Sequence, residues 1–319
     1  MIIAEHLNKK FTVREKKGFL SRGKRIVEAV ADVSLKIEPG AIVGLLGING
    51  AGKTTTIKML TTLLQPTAGT YSIDGIDAIK NPRAAKRAVN MVAGGERMIY
   101  WRLTAWENLW YFGQIYGVED QVLKERIVSL LELVGLEGKE HIPVETFSKG
   151  MKQRLQIARG LINDPCYLFM DEPTIGLDVL IAKELRDHVK KLAKEEGKGI
   201  LLTSHYIGEV EELCDYIYIL NKGRLIHQGT SKELSREVFK EKLYIIKTYG
   251  DQSAAASLLR QSLTGAAVAT RDDAIEISCA DNISVELSEI CSKNRIPIRE
   301  LYEKEPKFED VIVKFSREA

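Results

Sequence analysis

The chain has 319 residues, 45% of them apolar, which is enough for one large domain with a sizeable core and a second, small domain. Its 46 basic and 44 acidic residues leave a formal net charge of +2, so no global field points to nucleic acid or anionic lipid, and we expect no nucleic-acid partner. The four cysteines show no C-x-x-C spacing, which argues against a disulfide or metal framework and suits a reducing cytosol.

Targeting and membrane-spanning signals are not expected in this chain. The first six residues do not have the pattern of a signal peptide. No stretch approaches the roughly 18 uncharged apolar residues that a membrane-spanning helix needs. We therefore expect a chain that does not cross a bilayer.

The first local feature is a basic segment. Between Lys9 and Arg25 there are eight Lys or Arg residues against one acid, Glu15. The pattern predicts a solvated loop or a hairpin extension. The alternative is contact with anionic headgroups close to a membrane partner.

A phosphate-binding loop follows an apolar run. Residues 47–54 read Gly-Ile-Asn-Gly-Ala-Gly-Lys-Thr, a complete G-x-x-x-x-G-K-[ST] motif. Glycines let backbone N–H groups surround phosphates, and the helix that opens at Gly52 adds its positive end. Lys53 would supply charge to the β- and γ-phosphates, and the Thr54 hydroxyl would be a Mg²⁺ ligand. The residues that we expect to contact the nucleotide in this region are Gly47, Asn49, Gly50, Gly52, Lys53, Thr54 and Thr55.

The alternative interpretation of this loop is a glycine-rich turn between a strand and a helix. Its surroundings favour the phosphate loop, because an apolar strand pattern at 42–46 precedes it. A helical pattern then runs to Leu64, where Gln65 and Pro66 stop it.

The next stretch separates two predicted parts of the large domain. Residues 1 to about 82 are expected to form the nucleotide-binding half, with edge strands such as 70–75. From about 83 to 165 apolar residues recur at i, i+3 and i+4, which predicts a helical subdomain. Residues 100–112 hold all three tryptophans. Because aromatic residues are enriched both at interfaces and in cores, this segment predicts either a docking surface or the packing of the subdomain.

A short polar segment opens a helix within this subdomain. Residues 147–154 read Phe-Ser-Lys-Gly-Met-Lys-Gln-Arg and lead into an amphipathic pattern. Taken alone, this is an ordinary helix with Ser148 as its N-cap. A hydroxyl and the backbone N–H of Gly150 at a helix N-terminus are also suited to a γ-phosphate.

Two adjacent carboxylates follow the next apolar strand. Residues 166–173 read Cys-Tyr-Leu-Phe-Met-Asp-Glu-Pro, which places the acids at the carboxyl end of the strand. Ligands of open α/β sheets bind at that edge, so both acids are expected to face the phosphate loop. Asp171 would hold Mg²⁺, usually through water, and Glu172 would orient the water that attacks the γ-phosphate. Without the phosphate loop, the pair would equally fit a solvent-exposed strand end.

These segments, in this order, resemble the ATP-binding-cassette (ABC) ATPase family, the motor subunits of transporters. The family writes its signature loop Leu-Ser-Gly-Gly-Gln; this chain keeps Ser148 and Gly150 but departs from it at Phe147, Lys149 and Met151. The resemblance implies that Ser148 and Gly150 contact ATP held by the opposite subunit. Hydrolysis would therefore require a dimer.

The resemblance assigns three further positions. Residues 174–178 are similar to the loop that couples the two sites of the dimer, which makes Asp178 an ATP-site residue. His205 follows an apolar run and stands where the family has its switch histidine, although a lone histidine there is otherwise more often structural. Phe11 is similar to the aromatic that stacks on adenine; an ordinary phenylalanine at a strand end would look the same.

One family feature is missing. The family usually has a glutamine, which touches Mg²⁺ and the attacking water, after the strand that follows the first helical stretch. Residues 90–97 contain no glutamine. Glu96 could bind the metal through its carboxylate, whereas Gly95, the ungapped match, offers only backbone. Which of the two replaces the glutamine stays open.

The tail is expected to form its own small domain after about Ser235. Its pattern is strand-helix-strand-strand-helix-strand, the split β-α-β order of ferredoxin-like domains. The predicted elements are strands at 242–247, 267–269, 274–277 and 296–301 and helices at 254–263 and 284–292. No catalytic cluster lies there, so an interaction or regulatory role is expected. Residues 305–312 resemble the terminal helix of exporter-type cassettes that handle drugs, ions or polymers.

The sequence thus predicts an α/β P-loop NTPase cassette, with a mixed sheet core and a helical subdomain, in residues 1–235, and a small α+β domain, ferredoxin-like in pattern, in residues 236–319. The resemblance implies an ATPase on the cytoplasmic face of the cell membrane that binds ATP and Mg²⁺. It would dimerise with a second copy or a paralogous cassette and drive an exporter-type permease. The residues assigned to catalysis are Glu172 and His205, and those assigned to metal are Thr54, Asp171 and Glu96.

Two other functions compete with this one. A soluble cassette ATPase of DNA repair or translation generally has two cassettes or a long coiled coil, and this chain has one phosphate loop and no sustained heptads. A regulatory protein that binds ATP without transport would not need Glu172 and His205.

Overall fold

The computed structural model describes residues 1–16, 22–93, 99–238, 241–271, 273–304 and 308–318. Within them the chain divides into two compact units, Met1–Ser231 and Lys232–Glu318. The strands of the first unit are β1 (Ile2–Lys16), β2 (Arg22–Ile37), β3 (Ile42–Leu46), β4 (Ala68–Ile73), β5 (Ile76–Asp77), β6 (Val89–Ala93), β7 (Tyr167–Asp171), β8 (Gly199–Thr203), β9 (Tyr216–Asn221) and β10 (Arg224–Gly229). Its helices are α1 (Lys53–Leu60), α2 (Pro82–Ala88), α3 (Ala105–Tyr116), α4 (Asp120–Leu133), α5 (Lys149–Leu161), α6 (Val179–Lys194) and α7 (Ile207–Leu213).

The central sheet of the first unit is mixed, as the sequence predicts. Its strand order is β10-β9-β3-β8-β7-β6, in which only β10 pairs antiparallel to its neighbour. Every residue of β3 and of β8 is buried, as in strands that are covered on both faces and are therefore nearly continuous apolar runs. Leu35 of β2 belongs to the same buried cluster as Val43 and Leu201, so part of this cover comes from a second sheet. The carboxyl ends of β3, β7 and β8 meet at one edge, and the loops that follow these strands carry the predicted site residues.

A second, antiparallel sheet has the order β2-β1-β4-β5. Its strands β1 and β2 form a long hairpin that pairs as far as Lys16 with Arg22. The basic segment therefore belongs to a hairpin extension, one of the two forms that the sequence predicts. Residues 17–21 lie outside the described residues.

The sequence placed the end of α1 too late. The helix ends at Leu60 rather than Leu64, and Thr61 is its C-cap. Thr62 has a φ of 59°, in the left-handed region, which cannot continue a right-handed helix. Leu63 is consequently 60% exposed instead of packing as a helical core residue.

The predicted helical subdomain contains α3, α4 and α5. The buried positions of α4 are Leu123, Ile127, Leu130 and Leu131. A Cβ at Gly113 of α3 would lie 2.3 Å from Leu123 Cδ1, so this glycine permits the close approach of the two helices. The predicted range 83–165 also takes in β6, which belongs to the central sheet and not to the helical subdomain. The Met91 carbonyl of β6 accepts a hydrogen bond from the buried guanidinium of Arg159 on α5.

Helix α3 begins with a reciprocal cap. The Thr104 hydroxyl accepts a hydrogen bond from the Glu107 backbone N–H at 3.1 Å, and the Glu107 carboxylate accepts from the Thr104 N–H at 2.8 Å. We expect Thr104→Ala to lower the free energy of unfolding by about 1 kcal/mol, because one helix N–H loses its partner. Chemical denaturation measures this difference. Ser129→Ala, at an exposed position of α4, is the control, and an equal effect of the two substitutions would contradict the capping role.

The second unit contains strands β11 (Lys242–Thr248), β12 (Ala267–Arg271), β13 (Ala274–Cys279) and β14 (Ile298–Lys304). Its remaining helices are α9 (Gln252–Ser262), α10 (Ser284–Lys293) and α11 (Phe308–Glu318), while α8 (Ser231–Val238) begins at the boundary between the units. The strand order is β12-β13-β11-β14 with all pairs antiparallel. Together with α9 and α10, which bury Leu259 and Leu287 against Ile246 and Ile277 in one cluster, this is the split β-α-β arrangement.

Candidate active site

The phosphate loop lies between β3 and α1, and its glycines are required by the space around them. Gly47 has a φ of 152°, and a Cβ there would lie 2.3 Å from the Leu220 carbonyl oxygen. Gly52 has a φ of 101°, and its Cβ would lie 2.5 Å from the Ala29 carbonyl oxygen. Any side chain at either position would clash with backbone, so the loop keeps its shape only with glycine. The remaining predicted loop residues are exposed or half-buried; they are Asn49, Gly50, Thr54 and Thr55.

Lys53 is directed back into the loop. Its side chain is 7% exposed, and Nζ donates to the carbonyl oxygens of Gly47 at 2.6 Å and Ile48 at 3.3 Å. Burial lowers the pKa of Lys53, and the neighbouring carboxylates of Glu172 and Asp171 partly offset that effect. The ammonium group therefore contacts the loop and is close enough to the acidic strand end to interact with both carboxylates.

The structure brings Thr54 and Asp171 together, although 117 positions separate them. The Thr54 hydroxyl donates to Asp171 Oδ2 at 3.0 Å. The Thr203 hydroxyl, at the end of β8, donates to Asp171 Oδ1 at 2.7 Å. The hydroxyl and carboxylate oxygens of Thr54 and Asp171 are the donors that Mg²⁺ prefers, so this pair fits a metal that is shared with phosphate oxygens.

Glu172 and His205 form the second close pair. His205 Nε2 lies 2.7 Å from Glu172 Oε1, and both side chains are partly exposed. Glu172 has a φ of 54°, a left-handed conformation that is strained for a residue with a side chain. Its backbone N–H donates to the carbonyl and hydroxyl oxygens of Thr203, each at 3.1 Å, and these bonds help to hold the strained residue.

Ser148 and Asp178 both act as helix caps. Ser148 Oγ accepts from the Met151 N–H at 3.2 Å and starts α5, while Asp178 accepts from the Ile181 N–H at 2.9 Å and starts α6. A Cβ at Gly150 would lie 2.7 Å from Ile181 Cδ1, so the first turns of the two helices pack closely. This geometry is the ordinary capping that the sequence allowed for Ser148. Contact with ATP of an opposite subunit stays a prediction.

Phe11 and the replacement for glutamine are placed less directly. Phe11 is exposed on β1 and pairs with Val27 of β2. Two residues after Val27, the Ala29 carbonyl lies close to Gly52 of the phosphate loop. Lys9 Nζ lies 5.4 Å from the Phe11 ring centroid. This places Phe11 on the hairpin beside the phosphate loop, where stacking on adenine stays a prediction.

Gly95 and Glu96 lie outside the described residues.

Two residues of this region were missed by the sequence analysis. Thr203 touches both acids, and Glu209 of α7 is buried and accepts hydrogen bonds from Thr174 and Ser204. The available signal for Thr203 was a hydroxyl at the end of an apolar strand next to the acidic one. The available signal for Glu209 was a carboxylate in the first turn of a short helix. By itself, such a carboxylate is explained by its favourable interaction with the helix dipole.

A glycine-rich loop between a parallel strand and a helix, with its lysine close to two acids at the end of β7, two strands away in the same sheet, defines a P-loop nucleoside triphosphatase. Residues 30–175 match the family model described as ABC transporter. The chain is 44% identical over 211 residues to the ABC transporter ATP-binding protein NatA of Bacillus subtilis, covering 66% of this chain and 85% of the relative. It is 37% identical over 236 residues to the Nod factor export ATP-binding protein I of Cupriavidus metallidurans, covering 74% of this chain and 75% of the relative.

A solved structure shows the same fold. It is a dimeric ATP-binding cassette in a post-hydrolysis state with ADP and Pi, and it matches with a TM-score of 0.62 and 25% identity over 72% of this chain and 98% of that one. The chain therefore belongs to the family of ABC transporter ATP-binding proteins, whose cassettes bind and hydrolyse ATP. Among the residues that the structure describes, no helix is long and apolar enough to cross a membrane.

Proposed function

We propose that this chain energises export through a separate membrane-spanning permease by hydrolysing ATP at the edge of its parallel sheet. The observation that carries the proposal is the convergence of three separate segments: Thr54 contacts Asp171 at 3.0 Å, and Glu172 contacts His205 at 2.7 Å. This arrangement supplies a phosphate cradle, a metal-binding carboxylate and a second carboxylate for the attacking water. Export is inferred from the relative named for Nod factor export.

The roles at the site follow from its chemistry. Lys53 binds the β- and γ-phosphates, and Thr54 and Asp171 hold Mg²⁺, which neutralises phosphate charge when it is bound. Glu172 orients and polarises the attacking water. His205, hydrogen-bonded to Glu172, contacts the γ-phosphate.

Hydrolysis requires a second cassette, either another copy of this chain or a paralogue. In this proposal Ser148 and Gly150 of one subunit contact the γ-phosphate bound to the other, and Asp178 couples the two sites. Val179 and Leu180, which follow Asp178, are 81% and 74% exposed, and apolar residues so placed suit an interface between subunits. The γ-phosphate thus favours the closed dimer, and its loss after hydrolysis reopens the dimer.

The permease would dock on the aromatic segment of the helical subdomain, and the chain would lie on the cytoplasmic face of the cell membrane. Tyr100, Trp101 and Tyr111 are exposed there, and Tyr100 and Tyr111 form an edge-to-face pair with centroids 5.1 Å apart. Lys152 Nζ lies 4.3 Å from the Trp101 ring centroid. Exposed aromatic side chains favour a protein interface.

The tail, residues 236–319, is proposed to be an accessory domain that regulates the cassette of residues 1–235 or binds a partner. No site residue that we assign to ATP lies in the tail. Its strands and helices bury their own apolar cluster, which supports treating it as a separate domain.

Co-purification tests the transporter function. The chain is tagged in its native cells, the membranes are solubilised in mild detergent, and the proteins that co-purify in stoichiometric amount are identified by mass spectrometry. We expect a polytopic membrane protein, which an untagged strain should not yield. Recovery of ribosomal or nucleic-acid-bound partners alone would contradict the proposal and favour the soluble ATPase.

A further inference from the structure

Glu209 is a buried carboxylate between two loops of the site. Glu209 is 6% exposed to solvent and lies in the first turn of α7. One oxygen, Oε2, accepts hydrogen bonds from the Thr174 hydroxyl at 3.0 Å and from the Ser204 hydroxyl. Both hydroxyl-bearing residues are themselves buried. A buried carboxylate is costly unless it is hydrogen-bonded, so these contacts define where Glu209 and its partners lie.

A third contact agrees with the hydroxyls as the donors of these hydrogen bonds. Ser204 Oγ accepts from the Tyr206 backbone N–H at 3.0 Å, which leaves its own hydrogen for Glu209. A carboxylate has no hydrogen to donate, so Glu209 is the acceptor and the two hydroxyls are the donors. The first turn of a helix favours the negative charge of such an acceptor.

The two donors are adjacent in sequence to the proposed catalytic pair. Thr174 follows Glu172 by two residues, and Ser204 immediately precedes His205. We propose that Glu209 is a positioning residue, which acts through Thr174 and Ser204 to hold Glu172 and His205 in register for hydrolysis. This inference rests on the proposed function, because it assumes that Glu172 and His205 act on ATP.

The backbone conformation of Glu172 explains why a positioning residue is needed. Its φ of 54° persists only if neighbouring contacts determine it. Thr203 holds the Glu172 N–H, and the bond from Thr174 to Glu209 fixes the chain on the other side of Glu172. Because Ser204 shares the same acceptor oxygen, the two loops cannot shift independently while Glu209 is in place.

The test compares Glu209→Ala, Glu209→Gln and Glu211→Ala in steady-state ATP hydrolysis, with thermal unfolding as a check of the fold. We expect Glu209→Ala to lower kcat by about 10- to 100-fold with little change in KM, because misplaced catalytic groups slow the reaction while the phosphate loop is intact. Glu209→Gln should recover activity to within about fivefold of the wild type, since its amide oxygen can accept both hydrogen bonds. Glu211, exposed on the same helix, is the matched control and should behave as wild type.

Thr174→Val gives a milder variant that removes only one of the two hydrogen bonds. We expect a smaller loss of kcat than in Glu209→Ala, and the double variant Thr174→Val, Glu209→Ala should lose no more than Glu209→Ala alone. This non-additivity follows if both residues act through one contact. Full additivity of the two losses would overturn the shared mechanism.

Two outcomes of the main comparison would overturn the inference. The first is wild-type kcat in Glu209→Ala; the second is a loss of kcat that Glu209→Gln does not recover. Glu172→Gln is measured in the same assay to separate this inference from the function on which it rests. If Glu172→Gln hydrolyses ATP normally, the assigned catalytic role fails; if it is inactive while Glu209→Ala is normal, only the positioning role fails.

Discussion

Glu172→Gln is expected to abolish steady-state ATP hydrolysis while leaving ATP binding intact. The amide keeps the size of the side chain and an oxygen that can face His205, which lies 2.7 Å from the carboxylate. It cannot act as the base that polarises water, and the loss of such a group typically costs about 10²- to 10⁴-fold in rate. Phosphate release measures the rate, and titration with ATP measures the affinity.

The same variant should accumulate the closed dimer. ATP that binds but is not hydrolysed keeps the γ-phosphate in place, so the contacts that favour closure persist. Size-exclusion chromatography with ATP is expected to show a dimer for Glu172→Gln and mainly monomer for the wild type after turnover.

Glu211→Gln makes the same chemical change at an exposed position of α7 and is the control. It should hydrolyse ATP at the wild-type rate. Unimpaired hydrolysis by Glu172→Gln would remove Glu172 from the catalytic role.

The parts of the site that the sequence predicted are those specified by local motifs. The loop at 47–54 needs glycine at positions 47 and 52 because neighbouring backbone lies close to both. The required glycines give a fixed spacing that can be recognised in the sequence. The acids at the end of β7 were placed correctly at the sheet edge, because parallel strands deliver their carboxyl ends to one side. The helical subdomain was predicted from apolar spacing, which reflects the buried faces of its helices. The mixed sheet was implied by the resemblance to the cassette family and is confirmed.

The parts that were missed depend on contacts between distant segments. Glu209 acquires its partner Thr174 only because α7 packs beside the loop after β7, 35 positions away in sequence. The early end of α1 depends on the left-handed backbone of Thr62, and a threonine in a sequence does not predict this conformation. The aromatic segment fitted two interpretations, and the structure shows that it contains both an exposed Trp101 and a buried Leu109.

Lys53→Ala is expected to act one step earlier than Glu172→Gln, on nucleotide binding itself. In the structure the ammonium group lies against the Gly47 and Ile48 carbonyls, inside the loop that is predicted to surround the phosphates. A hydrogen bond to a charged group contributes about 1.5–3 kcal/mol, so its loss should weaken ATP binding by about 10- to 100-fold.

Lys58→Ala removes a lysine from the same helix at an exposed position and should leave the affinity unchanged. Calorimetric titration with ATP in the presence of Mg²⁺ compares the two variants, and thermal unfolding verifies that both are folded. The burial that lowers the pKa of Lys53 also makes its charge effective, because water screens the ammonium group poorly there. Raising the ionic strength should therefore weaken ATP binding to the wild type less than it would if Lys53 were exposed. An unchanged affinity in Lys53→Ala would show that the backbone N–H groups of the loop hold the phosphates without this charge.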